Sequence, residues 1–108
     1  MDKYTNERVK RALKKFLKKA GKDYLISKAI LFGSRAREEH FLDSDADVLI
    51  VSKDFEGKIF IDRITNLLDF WDEQIDLEIL PYTPEEFEKK KKQIGIVQQA
   101  VKEGIEIK

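Results

Sequence analysis

The sequence predicts a small α+β domain in which a mixed or antiparallel sheet carries helices on one face. Three observations predict it. Apolar residues recur at spacings of three and four over 9–20 and again over 59–71, the signature of amphipathic helices. The segments 27–32 and 46–52 are rich in apolar and β-branched residues, and 74–80 alternates, as strands do. Finally, 108 residues leave room for one compact unit, so 1–108 is read as a single domain.

Taken in order, Thr5 or Asn6 caps a first helix whose stripe is Val9, Ala12, Leu13, Phe16, Leu17 and Ala20, and Gly21 ends it. Lys10, Lys14, Lys15, Lys18 and Lys19 cover its other side, as a solvated face does. A strand over 27–32 runs into Gly33-Ser34, and a polar connection leads to the buried strand 46–52. After a turn at 54–57 comes a second helix with Ile59, Phe60, Ile64, Leu67, Leu68 and Trp71 on one face. The strand 74–80 puts Ile75, Leu77 and Ile79 on one face and Asp76 and Glu78 on the other. Thr83-Pro84-Glu85-Glu86 then combines an N-cap, a proline in the first helical position and a capping-box glutamate. That helix runs into Lys89 to Lys92, cations that suit its C-terminal end. A last helix over 94–103 ends at Gly104, and 105–107 adds a short edge strand.

Composition narrows the function classes. The chain is 42% hydrophobic and 39% charged, with no cysteine and one histidine, His40. Disulfides, zinc-thiolate sites, thiol nucleophiles and multi-histidine metal centres are thereby excluded. No apolar run reaches the roughly 20 residues of a membrane span, and Met1-Asp2-Lys3-Tyr4 does not read as a signal peptide, so a cytoplasmic domain is expected. The net charge is zero, but it is unevenly spread. Residues 1–28 carry ten basic and three acidic side chains, whereas 29–80 carry five and thirteen. The acidic middle is where a cation would be held, and the neutral total counts against general adhesion to nucleic acid.

Two stretches inside that acidic middle carry the chemistry: Gly33-Ser34-Arg35-Ala36-Arg37 and Ser44-Asp45-Ala46-Asp47. A glycine where a strand stops lets the backbone approach a ligand, and the serine adds a hydroxyl. Asp45 and Asp47, two apart at the entry of a strand, project from one face roughly 6–7 Å apart. Carboxylates so close repel, and a hard cation between them relieves the repulsion. Asp76 can join them if 46–52 and 75–80 are neighbouring strands, and Glu78 shares its face as the rival for that place. Ser44 reads as a cap of the Asp45 turn and His40 as an exposed loop residue; the rings of Phe32 and Phe41 are within reach of a base, but Phe32 reads first as a buried residue.

GSRAR followed by SDAD resembles the glycine-serine and paired-aspartate signature of the DNA polymerase β-type nucleotidyltransferase superfamily. At this length the chain is most similar to the minimal nucleotidyltransferases that partner HEPN-domain proteins in prokaryotic toxin–antitoxin pairs. The resemblance implies a nucleotidyltransferase fold. It also implies Asp45, Asp47 and Asp76 as the catalytic and metal-binding carboxylates for two Mg²⁺ (or Mn²⁺), with Gly33 and Ser34 on the triphosphate and Arg35 and Arg37 as phosphate contacts. The implied reaction moves a nucleoside monophosphate, AMP from ATP, to an acceptor hydroxyl on a HEPN-type partner protein. One departure is Glu38-Glu39, where many relatives have a glycine. The alternative is a non-catalytic module that neutralises its partner by occlusion. A nucleic-acid partner is disfavoured by the charge balance, and a homo-oligomer is left open.

Overall fold

A computed structural model describes residues 5–37 and 45–108. Its elements run α1 (Asn6–Ala20), β1 (Ile26–Phe32), α2 (Ser34–Arg37), β2 (Ala46–Ser52), a 3₁₀ turn (Lys53–Phe55), α3 (Phe60–Leu68), β3 (Leu77–Tyr82), α4 (Pro84–Lys90), α5 (Ile96–Glu103) and β4 (Ile105–Glu106). Glu38, Glu39, His40, Phe41 and Ser44 lie outside the described residues.

The four strands form one sheet in the order β3-β2-β1-β4. β1 pairs antiparallel with both β2 and β4, while β2 and β3 are parallel and joined through α3, so the sheet is mixed. The expected edge strand after Gly104 is β4, which hydrogen-bonds along β1 at Ile30 and Leu31.

The α+β class is as the sequence predicts, but the helices cover both faces of the sheet rather than one. Ala29 and Leu31 of β1 with Ala46, Val48 and Ile50 of β2 pack under Val9, Leu13, Phe16, Leu17 and Ala20 of α1. The alternate residues Ile30, Phe32, Leu49 and Val51 pack under Phe87 of α4 and Val97 and Ala100 of α5. The reason lies in the strands: every residue from Val48 to Ser52 is buried, so both faces need cover.

The local signals act as read. The Thr5 hydroxyl accepts from the Arg8 N–H, and α1 stops at Gly21. At α4 both halves of the capping box form: the Glu86 N–H donates to Thr83 Oγ1 at 3.2 Å, and the Thr83 N–H donates to Glu86 Oε1 at 2.9 Å. The helix over 59–71 is shorter than expected, ending at Leu68. Trp71 leaves it to pack edge-on against Phe16 and donate its indole N–H to the Ile75 carbonyl. The strand expected over 74–80 begins at Leu77 and runs to Tyr82. Among the described residues no helix is long and apolar enough to cross a membrane.

Arg63 ties the β2–β3 crossover to the end of β3 and the first turn of α4. Its side chain, 7% exposed, donates Nε–H to the Lys58 carbonyl at 2.9 Å and Nη1–H to the Pro81 carbonyl at 3.2 Å. It also makes a two-pronged pair with Glu86, at 2.7 and 3.2 Å, and lies over the Phe55 ring. Arg63→Ala removes the donors to the Lys58 and Pro81 carbonyls and leaves Glu86 only its Thr83 N–H, and is expected to lower unfolding stability by about 2–3 kcal/mol in denaturant titration. The same pair sets an acid limit. The Arg63 guanidinium, foremost, holds the Glu86 carboxyl below the usual range despite partial burial. Its contribution is therefore complete above the ordinary glutamate pKa of about 4.3 and is lost as pH falls through the lowered value. Glu86→Gln should flatten that acid limb.

Candidate active site

Three residues lie side by side at one end of the sheet, on the α5 face. Phe32, the last residue of β1, is paired with Asp47 near the start of β2, and Asp47 is paired with Glu78 near the start of β3. The next row on that face, Ile30, Leu49 and Leu80, is apolar. Asp47 thus stands where the covered sheet opens to solvent, half-buried, with a second carboxylate beside it.

The Asp47 carboxyl is pushed up to about 7. Burial is the largest cause, followed by the hydrogen bond it shares with the Glu78 carboxyl, the charge of Glu78 and the charge of Asp45. Two oxyacids in hydrogen-bond contact share a proton unless a cation replaces it. That donor chemistry fits a hard divalent ion held by Asp47 and Glu78, with Asp45 near by. Among the described residues no group of three such donors is preassembled. A hard divalent ion that keeps several waters and takes phosphate oxygens needs only one or two carboxylates from the protein.

Gly33 closes the other side. Its φ of 74° turns the chain from β1 into α2, a conformation side chains resist, and its carbonyl accepts from the Ala36 and Arg37 N–H groups. A Cβ built on Gly33 would lie 2.5 Å from Asp47 Oδ2, so the glycine gives the carboxylate its room. Gly33, Phe32, Asp47 and Glu78, with Arg37, Ile96, Gln99, Ala100 and Glu103, line an open cleft of about 360 Å³. Across it, Arg37 pairs with Glu103 at 3.5 Å.

The structure brings together Gly33, Arg37 and Asp47 of the expected set, and it adds Glu78. Ser34 opens α2 beside Gly33. Asp45 is exposed just ahead of β2. Two placements differ from expectation. Arg35 points inward and is fully buried, so its guanidinium does not line the cleft. Asp76 precedes β3 and is exposed; its carbonyl accepts from the Ala46 N–H at 3.0 Å, one step along the ladder from the Asp47–Glu78 pair. The residue against Asp47 is therefore Glu78, which the alternation placed on the right face but could not place in register. Also unread in the sequence was the far wall, Gln99 and Glu103, which α5 supplies from about 70 residues downstream.

The chain as a whole has counterparts among known proteins. A family model described as the nucleotidyltransferase domain matches residues 10–106. The chain belongs to that family. A candidate nucleotidyltransferase from Sulfolobus solfataricus superposes with a TM-score of 0.68 at 20% identity, covering 94% of this chain and 80% of that one. BolA1 from Arabidopsis thaliana (TM-score 0.55, 20% identity, 69% of this chain and 94% of that one) shares part of the fold. So does the BolA domain of SufE1 from the same plant, with a TM-score of 0.52 and 20% identity over 70% of this chain and 94% of that one. These likenesses show the fold alone. No curated protein matches the sequence significantly. A nucleotidyltransferase domain takes a nucleoside triphosphate as substrate, and the family generally works with a divalent metal ion.

The acid pair has a measurable signature. Because the folded-state pKa of Asp47 is raised, the metal-free nucleotidyltransferase domain binds more protons than the unfolded chain between the ordinary aspartate value of about 3.9 and about 7. The stability this confers is complete below the lower value and is lost as pH rises through the upper one. Asp47→Asn should remove the decline, giving a higher Tm than wild type at pH 8 without metal. Gly33→Ala, which needs both a forbidden φ and a displaced carboxylate, should cost about 1–3 kcal/mol in stability.

Proposed function

We propose that this domain transfers AMP from Mg²⁺-bound ATP to an acceptor hydroxyl, releasing pyrophosphate, and that the acceptor belongs to a HEPN-type partner protein. The observation that carries the reading is the Asp47–Glu78 carboxylate pair, set beside Gly33 at the opening of a nucleotidyltransferase fold. The acceptor oxygen bonds to the α-phosphorus, the bond from that phosphorus to the pyrophosphate oxygen breaks, and the hydroxyl proton passes to a carboxylate. When bound, the metal supplies charge neutralisation on the triphosphate and on the departing pyrophosphate.

Each residue has a task in this scheme. Asp47, Glu78 and Asp45 together hold the metal. Asp76, exposed just ahead of β3 as Asp45 is ahead of β2, takes the proton from the acceptor. Gly33 and Ser34 approach the β- and γ-phosphates through backbone and hydroxyl, and Arg37 supplies the cation in the cleft wall. The buried Arg35 secures α2 from within and leaves phosphate contact to Arg37.

A second reading, partner neutralisation by occlusion alone, draws support from exposed apolar residues near the cleft, Ile94 at 98% and Ile96 at 57%. The two readings part on one variant. Asp47→Asn should reduce label transfer from α-labelled ATP to background and abolish Mg²⁺-dependent ATP binding in calorimetry. A variant that still neutralises a co-expressed partner would make catalysis dispensable. Unchanged turnover in Asp47→Asn would end the catalytic reading.

A further inference from the structure

The lysines that close α4 are not alike. Lys89 and Lys91 pair with Glu85 and Glu88 on their own helix, whereas Lys90 has no carboxylate partner among the described residues. Lys90 lies instead over the Tyr82 ring, 5.7 Å from its centroid. With Gln93 these two line a small cleft whose remaining wall is the turn 94–97, where α5 begins. The neighbouring cleft, which also contains Ile96, carries Asp47, Glu78 and Glu103, but no carboxylate lines this one.

Two independent features of the cleft call for an anion. The first is the open end of α5. Thr5 caps α1 and Thr83 caps α4, but no side chain caps α5. The Ile96 and Val97 N–H groups have no acceptor among the described residues. Such an end combines free donors with the positive pole of the helix. Gly95, in the cap position, puts no side chain across it. The second feature is Tyr82. It is only 7% exposed and lines the cleft, yet its hydroxyl has no hydrogen-bond partner among the described residues. A buried hydroxyl left unpaired is costly. Burial, foremost, and the charge of Glu86 raise the phenol above its usual value, so it stays an O–H donor at neutral pH. Glu86 itself is held by Arg63.

We propose that this cleft binds a phosphate group, free or at the end of a larger molecule, at a site separate from the Asp47 cleft. The α5 N–H groups, the Tyr82 hydroxyl, the Gln93 amide and the Lys90 ammonium all bring donors, and a tetrahedral oxyanion brings acceptors to each side. The volume, about 160 Å³, suits one phosphate group and falls below the roughly 300 Å³ at which sites for drug-sized ligands begin. The site does not depend on nucleotidyl transfer, and it assigns no place to the triphosphate.

The test titrates inorganic phosphate into the isotope-labelled chain at constant ionic strength, followed by amide NMR, with chloride as the reference anion. Wild type is expected to show saturable shifts at the Ile96 and Val97 amides that chloride does not reproduce. Tyr82→Phe keeps the ring against Phe60 and should weaken binding about three- to tenfold, and Lys90→Gln about tenfold or more. Gly95→Asp, with open space for its side chain, gives α5 a cap of its own; it should raise Tm and abolish the phosphate shifts. A misfolded variant would not gain stability, so those two readouts separate binding from folding. Phenyl phosphate stands for a phosphate on a larger molecule. Saturation by either compound supports the site, inorganic phosphate alone marking a free ion and phenyl phosphate alone a carried one. Shifts that chloride matches, or that fall at Gly33 and Ser34 instead, overturn the proposal. So does an affinity unchanged in both Tyr82→Phe and Lys90→Gln. Asp47→Asn should leave phosphate affinity as it is, which keeps this result apart from any failure of nucleotidyl transfer; lost phosphate binding in that variant would move the anion to the Asp47 cleft and overturn the site.

Discussion

Strand β2 is covered on both faces, and the rest of the molecule depends on that constraint. A seven-residue strand with six buried positions has no solvated face on which to carry charge. Its one acidic residue, Asp47, is tolerated because it stands near the strand's first residue, where the helices no longer close over the sheet. The antiparallel partner β1 ends there and the parallel partner β3 begins there, so three strands deliver Phe32, Asp47 and Glu78 to one row. The half-burial that makes the pair costly also makes it useful, because low local dielectric strengthens its attraction for a cation.

Gly33 and α5 complete what β2 begins. The positive φ at Gly33 moves the backbone away from Asp47 and leaves the carboxylate oxygen where a side chain would otherwise stand. α5 packs Val97 and Ala100 on the sheet and presents Gln99 and Glu103 along the cleft, so the same helix covers the core and builds the wall. Glu103 accepts from the Gln99 amide and faces Arg37, an arrangement that holds the cation at the rim. The other end of the sheet is stabilised differently, through Arg63 and its contacts to Lys58, Pro81 and Glu86. The Arg63 network stands apart from the cleft, so it can be altered without touching the residues that line it.

The scaffold alone does not define the activity. BolA proteins share part of this arrangement of sheet and helices at the same 20% identity as the archaeal nucleotidyltransferase candidate. What assigns this chain to its family is the sequence match over 10–106; the glycine turn and the acidic residues at one end of the sheet are features of this structure.

By itself the sequence determined the local elements: the α1 stripe and its Thr5 cap, the Thr83–Glu86 capping box, the alternation through Leu77 and Ile79, and the glycine after β1. These are written in residues a few positions apart, and the physics that reads them is equally local. The same holds for Asp47 and its place at the start of a buried strand. Only the tertiary structure decided which acidic side chain meets it. Asp76 and Glu78 share a face and period, and the choice between them is a matter of register between strands about 30 residues apart in the chain. Arg35 shows the same divide: GSRAR announces a cation near phosphates, yet the turn at Gly33 sends that guanidinium inward and leaves Arg37 in the cleft. Long-range pairing and the direction of a turn are set by how the whole core closes, which no short stretch of sequence contains.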